Sequence, residues 1–203
     1  DSLIALKGKD FVIIAADTTN AYSVLRMKVL PGHSEYDDKI WNLDGEKLLA
    51  IGGEHSDILV FGDYIQKNLA FLEYKNGYKL STDDTAQFIR SELAEAIRKG
   101  PYSVNAYLQD FKVMSQDYTG LTTLDQLLKP QAAHGYAEFL TSSVLDTLQV
   151  KDMTEEQGIE AMNHCLNSMR ERFVISQSSF TIKIVRKDGI RVLREAEKPK
   201  GAF

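Results

Sequence analysis

The chain has 203 residues, 43% of them hydrophobic and 26% charged, with a formal net charge of −5. That length fits one domain of the usual ~100–200 residues, and the composition excludes an intrinsically disordered chain, a collagen or a coiled-coil rod. No run of about 18 apolar residues is present to cross a membrane as a helix. The first residues, Asp1-Ser2-Leu3-Ile4-Ala5, show neither the basic region nor the apolar stretch of a signal peptide. The one cysteine, Cys165, has no partner for an internal disulfide and fits a reducing compartment. Charge is uneven: residues 170–203 carry +5 and the remainder −10. The positive end is mild and mixed with acids, unlike the dense basic face of a nucleic-acid binder, so no nucleic-acid partner is expected.

Leu3-Ile4-Ala5-Leu6, the turn Lys7-Gly8-Lys9-Asp10 and the run Phe11-Val12-Ile13-Ile14-Ala15-Ala16 predict a hairpin whose second strand is buried on both faces. It ends at the turn-formers Asp17-Thr18-Thr19-Asn20. Residues 30–38 read as a polar loop, followed by Lys39-Ile40-Trp41, a turn at Asp44-Gly45 and a short strand Leu48–Ile51 ending at Gly52-Gly53. Ile58, Phe61, Ile65, Leu69 and Leu72 recur at 3.6-residue spacing and predict a helix that stops near Asn76-Gly77. A second helix is capped by Ser81, carries Asp83 and Asp84 in its first turn and the stripe Ala86, Ile89, Leu93 and Ile97, and ends at Gly100-Pro101.

Val104, Ala106 and Leu108 then alternate with Asn105, Tyr107 and Gln109, the period of a strand, with a partner expected around Tyr118–Leu124. Helices are expected at 134–149 and 155–172. The second opens with Thr154-Glu155-Glu156-Gln157, a capping-box spacing, and carries Ile159, Met162, Leu166, Met169 and Phe173 as its stripe. Phe180–Arg186, the turn Asp188-Gly189 and Ile190–Leu193 read as a closing hairpin, before a tail at 194–203. Segregated blocks of strands and helix pairs predict an α+β fold, a four-layer αββα sandwich, with residues 1–193 as the domain.

This order, with several local motifs, resembles the proteasome β-subunit family within the N-terminal-nucleophile hydrolase fold. The motifs are Phe11–Thr18, Lys47–Asp57 with its paired glycines, Tyr64–Asn68 and Lys79-Leu80-Ser81. Pro101–Asn105, Ala132–Tyr136 and Phe139-Leu140 resemble the branch at the fourth β position of the eukaryotic ring, the 132–140 stretch as the opening of the third helix. The resemblance spans residues 2–193. Catalytic members of the family use a processed N-terminal threonine as nucleophile and base. An aspartate and a lysine support it, a glycine N–H forms the oxyanion hole, and a serine/aspartate set lies near the third and fourth helices.

Carried onto this chain, the aspartate is Asp17, the lysine is Lys39 with Lys28 as a competitor, and the oxyanion glycine is Gly52 or Gly53. The nucleophile position is Asp1, a carboxylate where a hydroxyl is needed. Gly135-Tyr136-Ala137-Glu138 and Glu171-Arg172-Phe173 depart from the supporting set. Each remnant also has a plain structural role: Asp17 ends a strand and bonds turn amides, Lys39 pairs with Asp17, and Gly52-Gly53 permits close packing and starts a helix. Ser2 as nucleophile would sit one residue out of register, on the other face of its strand.

The resemblance therefore implies a non-catalytic β subunit of the 20S proteasome core, walling the chamber for ATP- and ubiquitin-dependent protein degradation in cytoplasm and nucleus. Its implied partners are the β subunits at the third and fifth positions, the α ring and the opposite β ring, faced by the helices at 134–172, in a 28-chain assembly. The positive tail would meet an acidic neighbour. An active peptidase using Ser2 or an unseen processed residue, and a free-standing α+β binding domain, are the rival readings. No cofactor or metal is expected: His164-Cys165 point about 100° apart on a helix and lack a second ligand pair.

Overall fold

A computed structural model describes residues 1–22, 25–28, 38–110, 114–115, 131–148, 152–173 and 179–193. Its strands are β1 (Ser2–Lys7), β2 (Phe11–Asp17), β3 (Thr19–Tyr22), β4 (Leu25–Lys28), β5 (Ile40–Asn42) and β6 (Lys47–Gly53). The helices α1 (His55–Asn76) and α2 (Thr82–Lys99) follow, then β7 (Val104–Asp110), β8 (Met114–Ser115) and β9 (Gln131–Gly135). The helices α3 (Tyr136–Leu148) and α4 (Glu155–Arg172) precede the closing hairpin, β10 (Phe180–Arg186) and β11 (Gly189–Leu193). One sheet runs β11-β10-β2-β1-β9, the other β5-β6-β7-β8, and β3-β4 form a separate ribbon.

The two sheets lie face to face between helix pairs, a four-layer αββα sandwich. Side-chain alternation divides each strand between two layers. Leu3, Ala5, Ile14 and Ala16 meet Ile40, Leu48, Ala50 and Tyr107 between the sheets. Ile4, Leu6, Ile13 and Ala15 turn outward onto Met162, Cys165, Leu166 and Met169. On the far side, Leu49, Ile51 and Leu108 pack against Ile58, Phe61, Ile65 and Ile89. Every residue of β2 is buried. Both faces of the central strands β1, β2 and β6 are covered, so these strands read as almost unbroken apolar runs. Each fully buried Leu, Ile or Phe contributes about 1.5–3 kcal/mol of transfer free energy.

The predicted caps form. Ser81 Oγ accepts the Asp84 N–H at 3.1 Å, and Thr154 and Gln157 close a reciprocal capping box. Gly77 ends α1 in the left-handed region at φ 77°, where glycine escapes the Cβ clash.

Four expectations need correction. The helix placed at 134–149 begins at Tyr136, and Gln131–Gly135 is instead the edge strand β9, with Ala133 opposite Ile4. The alanines favour a helix locally, but the open edge of β1 supplies partners for their backbone groups. Tyr107, on the face of β7 read as polar, is 3% exposed because that face meets the other sheet. Ile97, in the last turn of α2 and past its last buried residue Leu93, is 57% exposed, and Leu72 is only half-buried. Phe173 caps α4 rather than joining its buried stripe, which is filled by Gly158, Ala161 and Cys165 beside Met162, Leu166 and Met169. The described partner of β7 beyond β6 is β8; the strand expected at Tyr118–Leu124, the loop at 30–37 and the tail at 194–203 lie outside the described residues.

Candidate functional site

The antiparallel register sets Leu3 opposite Ala16, which brings the start of β1 beside the end of β2. There the Ser2 N–H donates to Asp17 Oδ1 at 2.8 Å. Leu3 and Ala5 face the second sheet, and the strand period puts Asp1 on the same side. Across the gap stand Lys39, just before β5, and Gly53, the last residue of β6. The Ile51 N–H, bonded to the Lys39 carbonyl at 2.8 Å, ties Lys39 to β6.

Lys39 Nζ donates to Asp1 Oδ1 at 2.6 Å, to Asp17 Oδ1 at 2.9 Å and to the Thr19 carbonyl at 3.0 Å. An ammonium has three N–H donors, and these three acceptors use them all. The Gly53 N–H donates to Asp1 Oδ2 at 2.7 Å. The Asp1 carboxylate is thus held by one donor on each oxygen. A β-carbon at Gly52 would lie 3.7 Å from that of Asp1, so both candidate glycines border the site, but the N–H that reaches Asp1 is that of Gly53. The φ of Gly53 is 136°, and a β-carbon there would run into the Ser103 carbonyl. Gly135 approaches just as closely from the other side: its φ is 69°, a β-carbon would strike the Asp1 carbonyl, and the following Tyr136 N–H donates to that carbonyl at 3.3 Å.

Lys39 is 5% exposed and Asp17 2%. Burial holds the Lys39 ammonium pKa below its ordinary value, while the charge and hydrogen bond of Asp17 act against that fall. Where residue 1 carries a free α-amine, burial lowers its pKa most, Asp17 opposes and Lys39 adds to the fall.

Residues that sequence reasoning passed over complete the setting. Lys183 of β10 pairs with Asp38 Oδ2 at 2.6 Å and donates to the Ile40 carbonyl at 2.5 Å, while Asp38 Oδ1 accepts the Ile40 N–H at 2.9 Å. These bonds brace the segment that carries Lys39. The signal was a lysine between Ile182 and Ile184, on the strand face that Val185 turns toward the sheet interface.

Ser2 shares the opposite face of β1 with Ile4 and Leu6. Its hydroxyl is fully buried and has no hydrogen-bond partner among the described residues. It faces away from Lys39 and Gly53. Where the resemblance implies a serine/aspartate set, the rings of Tyr136 and Phe173 lie 4.6 Å apart, Ala137 is buried and Glu138 is exposed. Among the described residues no group of three or more His, Cys, Asp or Glu is placed to hold a metal ion. Cys165 is buried in the α4 core, and burial pushes its thiol pKa up to about 12.

An αββα sandwich in which residue 1, just before the first strand, meets a lysine and a glycine N–H, with a buried aspartate on the same lysine, is the arrangement of the N-terminal-nucleophile hydrolase class of domain. A family model described as Proteasome subunit matches residues 1–185. The chain is 38% identical over 197 residues to proteasome subunit beta type-2-B of Arabidopsis thaliana, covering 94% of each chain. It is 36% identical over 198 residues to proteasome subunit beta type-2 of Dictyostelium discoideum, covering 95% of this chain and 96% of that one. It is 32% identical over 201 residues to proteasome subunit beta type-4 of Saccharomyces cerevisiae, covering 94% and 96%. The chain belongs to the proteasome subunit family.

Proposed function

We propose that this chain is a structural, non-catalytic β subunit of the proteasome core, of the kind named beta type-2 in its plant and Dictyostelium relatives. One observation carries the non-catalytic reading. Residue 1 presents a carboxylate, and that carboxylate already occupies both the lysine and the glycine N–H that a nucleophile and a developing oxyanion would need. A peptidase reading through Ser2 is opposed by its hydroxyl, which sits on the other face of β1.

The subunit contributes wall and spacing to a chamber in which other subunits cut. Its neighbours are the third and fifth β positions, the α ring and the opposite β ring of a 28-chain particle that degrades ubiquitin-tagged protein in cytoplasm and nucleus. Large exposed side chains on both helix layers, among them Phe71, Tyr74 and Phe139, support a chain made for partner contact. Purification from its own cells with native mass spectrometry and a threonine-directed electrophile tests the proposal. The chain is expected in a large complex at fixed stoichiometry, with the electrophile on other subunits. A stable 22.8 kDa monomer, or stoichiometric labelling of this chain, would overturn it.

A further inference from the structure

We propose that Lys39 Nζ and the Gly53 N–H form a preorganised anion cradle for a small carboxylate, and that the Asp1 side chain is its built-in ligand. The two donors reach separate oxygens of one carboxylate at 2.6 and 2.7 Å, the short lengths of charge-assisted bonds. Neither depends on Asp1 for its position. Lys39 is held by Asp17, by the Thr19 carbonyl and, through its backbone, by the Ile51 N–H. Gly53 is held by its pairing with Val104 and by the Glu54 N–H on the Ser103 carbonyl at 2.9 Å. The Asp1 backbone is anchored separately, by the Tyr136 N–H on its carbonyl.

Removing the Asp1 side chain therefore leaves both donors aimed at one vacated volume. The volume is reachable from solvent, because that side chain is 17% exposed whereas the lysine beneath it is 4% exposed. The lost fragment is a methylene and a carboxylate, so acetate is the ligand of matching size and charge. In the unaltered chain the tethered carboxylate holds the cradle at a high effective concentration, and free carboxylates are excluded. The site is closed by its own anion, independently of whether the chain sits in a ring.

The test is chemical rescue of the full-length Asp1→Gly variant. Unfolding is followed while sodium acetate is titrated against sodium chloride at equal ionic strength. At acetate about ten times its dissociation constant, the folding equilibrium constant of Asp1→Gly is expected to rise ~11-fold over the chloride control. The unaltered chain and Asp1→Gly/Lys39→Met should show no difference between the two salts. No acetate effect on a folded Asp1→Gly, or the same effect in all three proteins, would overturn the proposal. A second readout needs no variant: the Gly53 amide of the unaltered chain should exchange its hydrogen far more slowly than a solvent-bonded strand-end amide. Exchange at the free-amide rate would equally refute the cradle.

Discussion

Replacing Lys39 by methionine removes a buried cation while keeping most of its volume. Two carboxylates then lose their shared partner: Asp17, whose side chain is 1% exposed, and Asp1 at 17%. Removing one member of a buried ion pair costs about 3–5 kcal/mol, because the remaining charge stays desolvated. Here each carboxylate keeps at least one donor, the Ser2 N–H on Asp17 and the Gly53 N–H on Asp1. That places the loss near the lower end, about 3 kcal/mol, a large part of a domain stability of about 5–15 kcal/mol. Denaturant unfolding of the full-length chain at neutral pH measures it. Adding Asp17→Asn to Lys39→Met removes the uncompensated charge and should restore at least half of the loss. A loss below about 1 kcal/mol at neutral pH, in a variant with native circular dichroism, would refute the claim that Lys39 holds the buried charge of Asp17.

Three further outcomes follow from local geometry. Gly53→Ala must place a β-carbon against the Ser103 carbonyl at a φ of 136°, and a loss of about 3 kcal/mol is expected in denaturant unfolding. Thr154→Ala removes one half of the α4 capping box and should cost about 1 kcal/mol, with Thr154→Ser recovering most of it. The Cys165 thiol, with its pKa raised from 9.0 to about 12, keeps its proton in the folded chain while the unfolded chain loses it. This group's contribution is complete below pH 9 and declines as pH climbs toward 12; a thiol reagent at neutral pH should modify Cys165 only at the rate of opening, rising with denaturant.

Local pattern carried most of the fold. β2 is legible because six apolar residues in a row, Phe11–Ala16, leave no polar face, and α4 because Thr154 and Gln157 sit at capping distance before a periodic stripe. The strand at Gln131–Gly135 was hidden for the opposite reason: two alanines and a histidine have no strand signature, and only the open edge of β1 makes them one. Tyr107 misled similarly, since alternation marks two faces but not what covers each. At the site, Asp1, Asp17 and Lys39 were legible through resemblance and counting. Gly52 and Gly53 are indistinguishable as letters; the backbone turn that sends one N–H to Asp1 separates them. Lys183 acts through a contact 143 residues away in the chain, which no local pattern encodes.

The proposed non-catalytic reading also accounts for a site that keeps its frame. Lys39 gathers the starts or ends of several segments at one point: Asp1 before β1, Asp17 at the end of β2, Thr19 at the start of β3, and through Asp1 the Gly53 end of β6. A threonine at residue 1 would offer a single oxygen to Lys39 and leave the Gly53 N–H free. An aspartate offers two oxygens, so the donor set that a reaction leaves open is filled at rest. With every lysine proton committed and the glycine N–H occupied, what remains is a charged clasp across the mouth of the two sheets. On the proposed non-catalytic reading, a carboxylate in the place of a hydroxyl removes the reacting atom and supplies the ligand that closes the place where it would react.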